Sequence, residues 1–120
     1  MPETKTYTGS CHCGQVTYEA DTDLGMVVSC NCSICRKRGA LLTFVPEDKF
    51  RLKSGGETLT DYLFNKKVIH HMFCPTCGVG AFARGIRPTD GAKVIAINVR
   101  CLDGVDLDTL TVRKFDGASL

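Results

Sequence analysis

The chain has 120 residues, of which 43% are hydrophobic and 23% charged, with a formal net charge of +2 at pH 7. That length is enough for a modest core, so we expect residues 1–120 to form a single domain. The small net charge argues against nucleic acid as a partner. No run approaches the roughly 18 consecutive apolar residues of a membrane span, which argues against a membrane protein.

The spacing of apolar residues predicts a mainly β fold with only short helical turns. In chain order, strands are expected at residues 16–20, 26–28, 41–45, 50–52, 58–64, 68–73 and 94–99. Residues 65–66 should join the fifth of these strands to the sixth, and the last run, which is the most apolar, should be a central strand. Short helical turns are expected at residues 35–39, 47–50 and 107–110. The sequence has no long amphipathic helical pattern, which argues against a helical bundle or a Rossmann fold.

Seven of the eight cysteines fall into three tight clusters, at spacings that suit thiolates converging on a metal. The clusters are Cys11-x-Cys13, Cys30-x-Cys32-x-x-Cys35 and Cys74-x-x-Cys77. A closed structural zinc site takes four protein ligands, whereas a catalytic site takes three and keeps one position open. The two pairs therefore predict a closed zinc site between the start and the middle of the chain. The triplet predicts a second zinc site with room for a substrate.

Strand geometry offers a simple way to bring these thiols together. Residues i and i+2 of an extended strand face the same side, so Cys11 and Cys13 should present their thiols together, and so should Cys30 and Cys32. A turn after Cys32 would then bring Cys35 to the same point. Because the four-cysteine site would join distant segments, we expect its zinc to be a condition of folding.

Disulfides and iron–sulfur ligation are the two other interpretations of the cysteines. Disulfides fit poorly because one- and two-residue loops strain the bridge, and residues 1–5 have neither the basic nor the apolar region of a signal peptide. We therefore expect a cytoplasmic protein whose thiols stay reduced. Iron–sulfur ligation stays open, but Cys74-Pro75-Thr76-Cys77-Gly78 is more typical of a zinc knuckle, in which the glycine permits a tight turn.

A basic run, Arg36-Lys37-Arg38, directly follows the cysteine triplet. Three thiolates on a zinc ion leave a net negative charge, so the run could balance that charge or attract an anionic ligand. The alternative is a solvated turn with no functional role.

Three segments carry a longer pattern: Gly9-Ser10-Cys11-His12-Cys13-Gly14, Cys30-Asn31-Cys32-Ser33-Ile34-Cys35-Arg36-Lys37 and Phe73-Cys74-Pro75-Thr76-Cys77-Gly78. In this order they resemble the motifs of the glutathione-dependent formaldehyde-activating (GFA) family. Within the family, residues 62–65, 71–74, 101–103 and 115–117 are similar to the branch related to centromere protein V. The resemblance implies an Mss4-like, mainly β fold and two zinc ions per chain. It implies a structural zinc on Cys11, Cys13, Cys74 and Cys77 and a second zinc on Cys30, Cys32 and Cys35.

The implied activity is that of a carbon–sulfur lyase that resembles S-(hydroxymethyl)glutathione synthase. Such an enzyme joins a thiol, glutathione or a similar molecule, to formaldehyde or a related small aldehyde. Arg36 or Lys37 would then hold a carboxylate of glutathione. One alternative is a non-catalytic zinc-stabilised interaction module of the centromere protein V kind, and another is a domain whose three-cysteine site is occupied but inert. The sequence shows no evident carboxylate base near the triplet, which favours these alternatives.

The histidines and the eighth cysteine complete the candidate residues. His71, which matches the branch motif three residues before Cys74, is the candidate for general acid–base chemistry. His70 should point to the opposite face of the strand, and His12 should lie at the surface. Cys101 is expected to be a buried free thiol, with a place near the second zinc as the alternative.

Overall fold

The computed structural model describes residues 4–63, 69–87 and 89–119, and within these ranges the chain is mainly β. The strands are β1 (Lys5–Ser10), β2 (Thr17–Thr22), β3 (Val27–Cys30), β4 (Leu42–Pro46), β5 (Phe50–Ser54), β6 (Thr60–Tyr62), β7 (His70–Phe73), β8 (Phe82–Ile86), β9 (Lys93–Asn98) and β10 (Val112–Phe115). One helix, α1 (Ser33–Arg38), is accompanied by 3-10 turns at Glu47–Lys49, Gly56–Thr58, Val99–Cys101, Leu107–Thr109 and Gly117–Ser119. The predicted mainly β fold with short helical turns is therefore confirmed. None of the described helices is long and apolar enough to cross a membrane.

The strands form two sheets. A three-stranded sheet has the order β1-β2-β5, and a seven-stranded sheet has the order β10-β3-β4-β9-β8-β7-β6. Among the described strands, neighbours are antiparallel except for β10 and β3, which run parallel. β9 lies in the middle of the larger sheet, which confirms the central strand predicted from the apolar run at residues 94–99.

Aromatic rings join the two sheets. Tyr18 on β2 and Phe50 on β5 have ring centroids 5.1 Å apart, and Phe82 on β8 lies 5.8 Å from Tyr18 and 4.8 Å from Phe50. Ile95 and Ile97 on β9 are fully buried in the same core. Burial of this apolar surface holds the smaller sheet on one face of the larger one.

The predicted strand pair at residues 58–64 and 68–73 corresponds to β6 and β7, in which Tyr62 lies opposite His71. The predicted join at Asn65-Lys66 lies outside the described residues. The sequence pattern does not predict β1, β8 or β10.

The ends of three strands position the cysteine clusters. β1 ends one residue before Cys11, and β7 ends one residue before Cys74. Because β1 and β7 belong to different sheets, a site built from both pairs fastens one sheet to the other. β3 ends at Cys30 itself, and α1 begins directly after Cys32.

Candidate metal centres

The structure brings Cys11, Cys13, Cys74 and Cys77 together, with all four Sγ atoms within 4.8 Å of one another. The Sγ–Sγ distance is 3.7 Å for Cys11 and Cys13 and 3.6 Å for Cys13 and Cys74. Four sulfurs placed tetrahedrally at about 2.3 Å from a zinc ion would lie about 3.8 Å apart. A disulfide, by contrast, would need sulfurs only about 2.0 Å apart. The group therefore has the dimensions of a four-thiolate zinc site.

Two similar turns present these four thiols. The backbone N–H of Cys11 donates to the Val16 carbonyl and that of Cys74 to the Val79 carbonyl, each at 3.1 Å. Gly78 closes the second turn with a φ of 79°, a conformation that glycine adopts without strain. The expectation that strand alternation pairs the first two cysteines is wrong, because they lie in a turn after β1. A turn suits a metal better, since it also directs backbone N–H groups at sulfur.

Ionisation of one thiol in this group disfavours ionisation of its neighbours. Backbone N–H groups of Cys13 and Val79 lower the pKa of the Cys77 thiol to about 6. A backbone hydrogen bond at Gln15 lowers the pKa of Cys13, but desolvation and the neighbouring thiols outweigh it and raise that pKa to about 11. Four thiols this close cannot all ionise unless a cation compensates their charge. The arrangement therefore fits a divalent metal.

Cys101 lies beside this first group rather than in the triplet. Burial, followed by the charges of Cys11 and Cys77, raises the pKa of its thiol to about 11. Among the described residues, neither set of converging thiols includes it. The alternative that places Cys101 near the second zinc is therefore not supported, whereas a largely protonated, half-buried thiol fits.

The triplet forms the second group. The Sγ atoms of Cys30, Cys32 and Cys35 all lie within 4.8 Å of one another, and all three residues are half-buried. The Cys32 N–H points at the Cys30 Sγ at a distance of 3.4 Å, and one turn of α1 returns Cys35 to the same point. Burial and the two neighbouring thiols raise the pKa of Cys35 to about 12, so a cation is needed to ionise all three. Within the described ranges no fourth Cys, His, Asp or Glu completes the set.

The basic run after the triplet occupies the last turn of α1. Arg36 and Lys37 are exposed, as a side chain that captures an anion from solution must be. Cations at the C-terminal end of a helix also complement its dipole, so the basic run can stabilise α1 without binding a ligand. Arg38 reaches across to β7, where its guanidinium carbon lies 5.9 Å from the centroid of the Phe73 ring.

His71 lies on the same face of β7 as Phe73 and is buried. Burial, followed by the charge of Arg38, lowers the pKa of His71 below its usual value, so the ring is neutral at pH 7. His70 is half-exposed on the opposite face, with Nδ1 2.5 Å from an Asp61 carboxylate oxygen. His12 is exposed, as expected from the sequence.

The C-terminal segment reaches the triplet, which the sequence does not predict. Asp116 accepts a hydrogen bond from the side chain of Asn31, which stands between Cys30 and Cys32 in the sequence. Hydrogen bonds from Ser119 and Asn31 lower the pKa of Asp116, so it is a carboxylate at neutral pH. Residues 115–117 enter the family resemblance, but nothing in their local pattern indicates a place at this site. A carboxylate does therefore lie near the triplet.

Both the sequence and the fold of this chain match known proteins. Residues 6–113 match the family described as glutathione-dependent formaldehyde-activating enzyme. A crystal structure of a Rhodobacter sphaeroides protein, a structural genomics target, is similar to this chain with a TM-score of 0.79 and 32% sequence identity. The match covers 90% of this chain and 99% of the Rhodobacter protein. The chain belongs to the glutathione-dependent formaldehyde-activating family.

Proposed function

We propose that this chain is a zinc-dependent carbon–sulfur lyase, which adds a thiol such as glutathione to formaldehyde or a related small aldehyde. The observation that carries the proposal is the inequality of the two cysteine groups. One group has four thiols and would close the coordination of a zinc ion, whereas the other has three. Three protein ligands leave one position for a substrate. Reduced thiols and a glutathione-like substrate both fit a cytoplasmic location.

The reaction is an addition without net oxidation. The sulfur of the thiol forms a bond to the carbonyl carbon, the π electrons of the carbonyl move to its oxygen, and the thiol proton ends on that oxygen. Zinc held by Cys30, Cys32 and Cys35 would supply the charge that keeps a thiol ionised at neutral pH. The protein must also hold the thiol-bearing molecule and provide a route for the proton.

Exchange between formaldehyde and its glutathione adduct tests this activity directly. We expect the wild-type protein to accelerate conversion of ¹³C-formaldehyde and glutathione to the S-hydroxymethyl adduct, observed by NMR. Protein from which the zinc ion of the three-cysteine group has been removed should not accelerate this conversion. Equal rates with and without the wild-type protein would contradict the proposal.

Arg36 and Lys37 are proposed to attract the carboxylates of glutathione. Replacing both with alanine should weaken glutathione binding about tenfold, because exposed ion pairs contribute up to roughly 1 kcal/mol each. Added salt should weaken binding to the wild type but have less effect on the variant. Titration calorimetry at two salt concentrations measures both effects.

Lys49 and Lys93 provide the matched control. They are exposed and lie beyond the end of β4 where Pro46 pairs with Val94, opposite the end that follows α1. Replacing both with alanine removes the same charge but should leave glutathione binding unchanged. If the two double variants bind glutathione equally well, the basic run is only a solvated helix end.

His71 is proposed to accept the thiol proton and return it to the aldehyde oxygen. Its lowered pKa keeps the ring neutral at pH 7, so turnover should fall only as the pH drops below the usual histidine value of 6.5. His71→Gln should reduce the rate at pH 7 by about a hundredfold or more and abolish that acid limb. His70→Gln, on the opposite face, is the control and should keep the wild-type profile. Zinc content at each pH separates proton transfer from metal loss.

A zinc-stabilised interaction module of the centromere protein V kind is the second candidate. Large apolar side chains that are exposed among the described residues favour it: Met26, Phe44, Tyr62, Ile69, Ile86, Val112 and Phe115. A protein with two zinc ions, no affinity for small thiols and no effect on adduct formation would support this function instead.

A further inference from the structure

The C-terminal end of the described chain packs against the three-cysteine group. β10 runs parallel to β3 with Phe115 opposite Cys30. The contact continues past the strand, because the backbone N–H of Asn31 donates to the Phe115 carbonyl at 3.1 Å. Asn31 and Asp116 are 85 positions apart in the sequence. The C-terminal segment therefore lies against the proposed second metal centre although it is distant from it along the chain.

The side chain of Asn31 holds this segment with both ends of its amide. Its Nδ2 donates to an Asp116 carboxylate oxygen at 2.9 Å, and its Oδ1 accepts from the Ala118 N–H at 2.9 Å. The second carboxylate oxygen of Asp116 accepts from the Ser119 hydroxyl at 2.6 Å, which fixes the orientation of the carboxylate. The amide thus bridges two points of the segment, with a defined donor and a defined acceptor.

Gly117 lies directly over the sulfur of Cys30. A Cβ atom at this position would be 2.5 Å from the Cys30 Sγ and 3.2 Å from the Cys32 Cβ. Both distances are shorter than ordinary van der Waals contact, so a side chain at this position would have to displace the Cys30 sulfur. The backbone of the segment therefore covers one side of the thiol group.

We propose that Asn31 is a positioning residue for the second metal centre. By holding residues 115–119 against Cys30 and Cys32, it limits the access of water and competing ligands to one side of the centre. The open coordination position then faces away from this segment. The inference rests on the second metal of the proposed function, but not on turnover of any aldehyde.

The first test changes the two residues of the Asn31–Asp116 hydrogen bond and measures the rate of zinc release. Asn31→Asp would set one carboxylate against that of Asp116, so the segment should separate and zinc should leave the second centre roughly tenfold faster or more, as is usual when a group that supports a metal ligand is lost. Adding Asp116→Asn supplies an amide donor for the new carboxylate, while the Ala118 N–H still has an acceptor. The double variant should therefore return toward the wild-type rate. A chelating dye reports release, and zinc of the four-cysteine group serves as an internal standard that should not change.

A second test uses Gly117. Gly117→Ala should also speed release from the second centre, because the added methyl group would push the Cys30 sulfur out of its position. Gly85→Ala is the control, since among the residues that the structure describes its Cβ would meet only Ile69, at 3.6 Å or more, and it should leave both rates unchanged. Wild-type release rates in Asn31→Asp and Gly117→Ala would overturn the inference. A protein inactive toward aldehydes whose metal release follows this pattern would leave it standing, so its failure and that of the proposed enzyme are distinguishable.

Discussion

Replacing Cys74 with serine should leave no soluble, folded protein. Cys74 is fully buried and belongs to the group of thiols that joins the two sheets. Binding of a structural zinc contributes roughly 10–16 kcal/mol in small metal-dependent folds. A typical domain has a net stability of only roughly 5–15 kcal/mol. Loss of this metal should therefore remove all of the free energy of unfolding, and the expected result is insoluble protein or a soluble chain without a cooperative thermal transition.

Cys101→Ser is the matched control for that experiment. It makes the same chemical change at a half-buried thiol that belongs to neither group of converging cysteines. This variant should be soluble, bind two zinc ions per chain and unfold cooperatively. A folded Cys74→Ser protein with wild-type zinc content would contradict the structural role of the four-cysteine group.

Cys32→Ser should give the opposite result, a folded protein that has lost its chemistry. The four-cysteine group and the aromatic core are untouched by this change. Cys32 occupies the N-cap position of α1, and serine is among the preferred residues there, so the helix should not be weakened. The variant should bind one zinc ion per chain instead of two, lose affinity for glutathione, and form adduct no faster than the uncatalysed reaction.

Ser33→Ala provides the comparison for Cys32→Ser, because it alters the neighbouring exposed residue of α1 and no thiol. It should keep both zinc ions and full turnover. Metal analysis, thermal unfolding and the NMR assay on the two variants together separate folding from function. If Cys32→Ser failed to fold, the second zinc would be structural too, and the interaction-module function would gain.

The cysteine groups could be predicted because ligand spacing is a local property of sequence. Seven thiols in pairs and a triplet divide into four and three by coordination number, and the structure shows the same division. The central strand is equally local, since Ile95 and Ile97 lie in one uninterrupted apolar run. What spacing cannot indicate is the path of the backbone, and Cys11 and Cys13 accordingly lie in a turn rather than in a strand.

There are identifiable reasons why the sequence pattern does not predict β1, β8 and β10. β1 is largely polar and β10 is exposed along its whole length, so neither shows the alternation of a half-buried strand. β8 contains Arg84, which interrupts the apolar pattern. In the structure its guanidinium carbon lies 5.7 Å and 5.4 Å from the centroids of the Phe50 and Phe82 rings, so a charged residue takes an apolar position.

The contact of residues 115–119 with the second centre depends on long-range interactions that no local sequence pattern indicates. Asn31 and Asp116 are 85 positions apart, and their hydrogen bond exists only because β10 pairs with β3. Gly117 looks like an ordinary turn glycine until the position of the Cys30 sulfur is known. For these residues the tertiary structure, rather than composition or spacing, provides the signal.

The most direct test of an open three-cysteine centre is the absorption spectrum of protein with cobalt in that centre and zinc retained in the other. Glutathione should add a fourth thiolate to the three of Cys30, Cys32 and Cys35, so sulfur-to-cobalt charge-transfer absorption should rise by about a third. The rise should saturate at one glutathione per chain and be absent with S-methylglutathione, which has no thiol to ionise. A spectrum unchanged by glutathione, and already that of four sulfur ligands without it, would contradict an open centre.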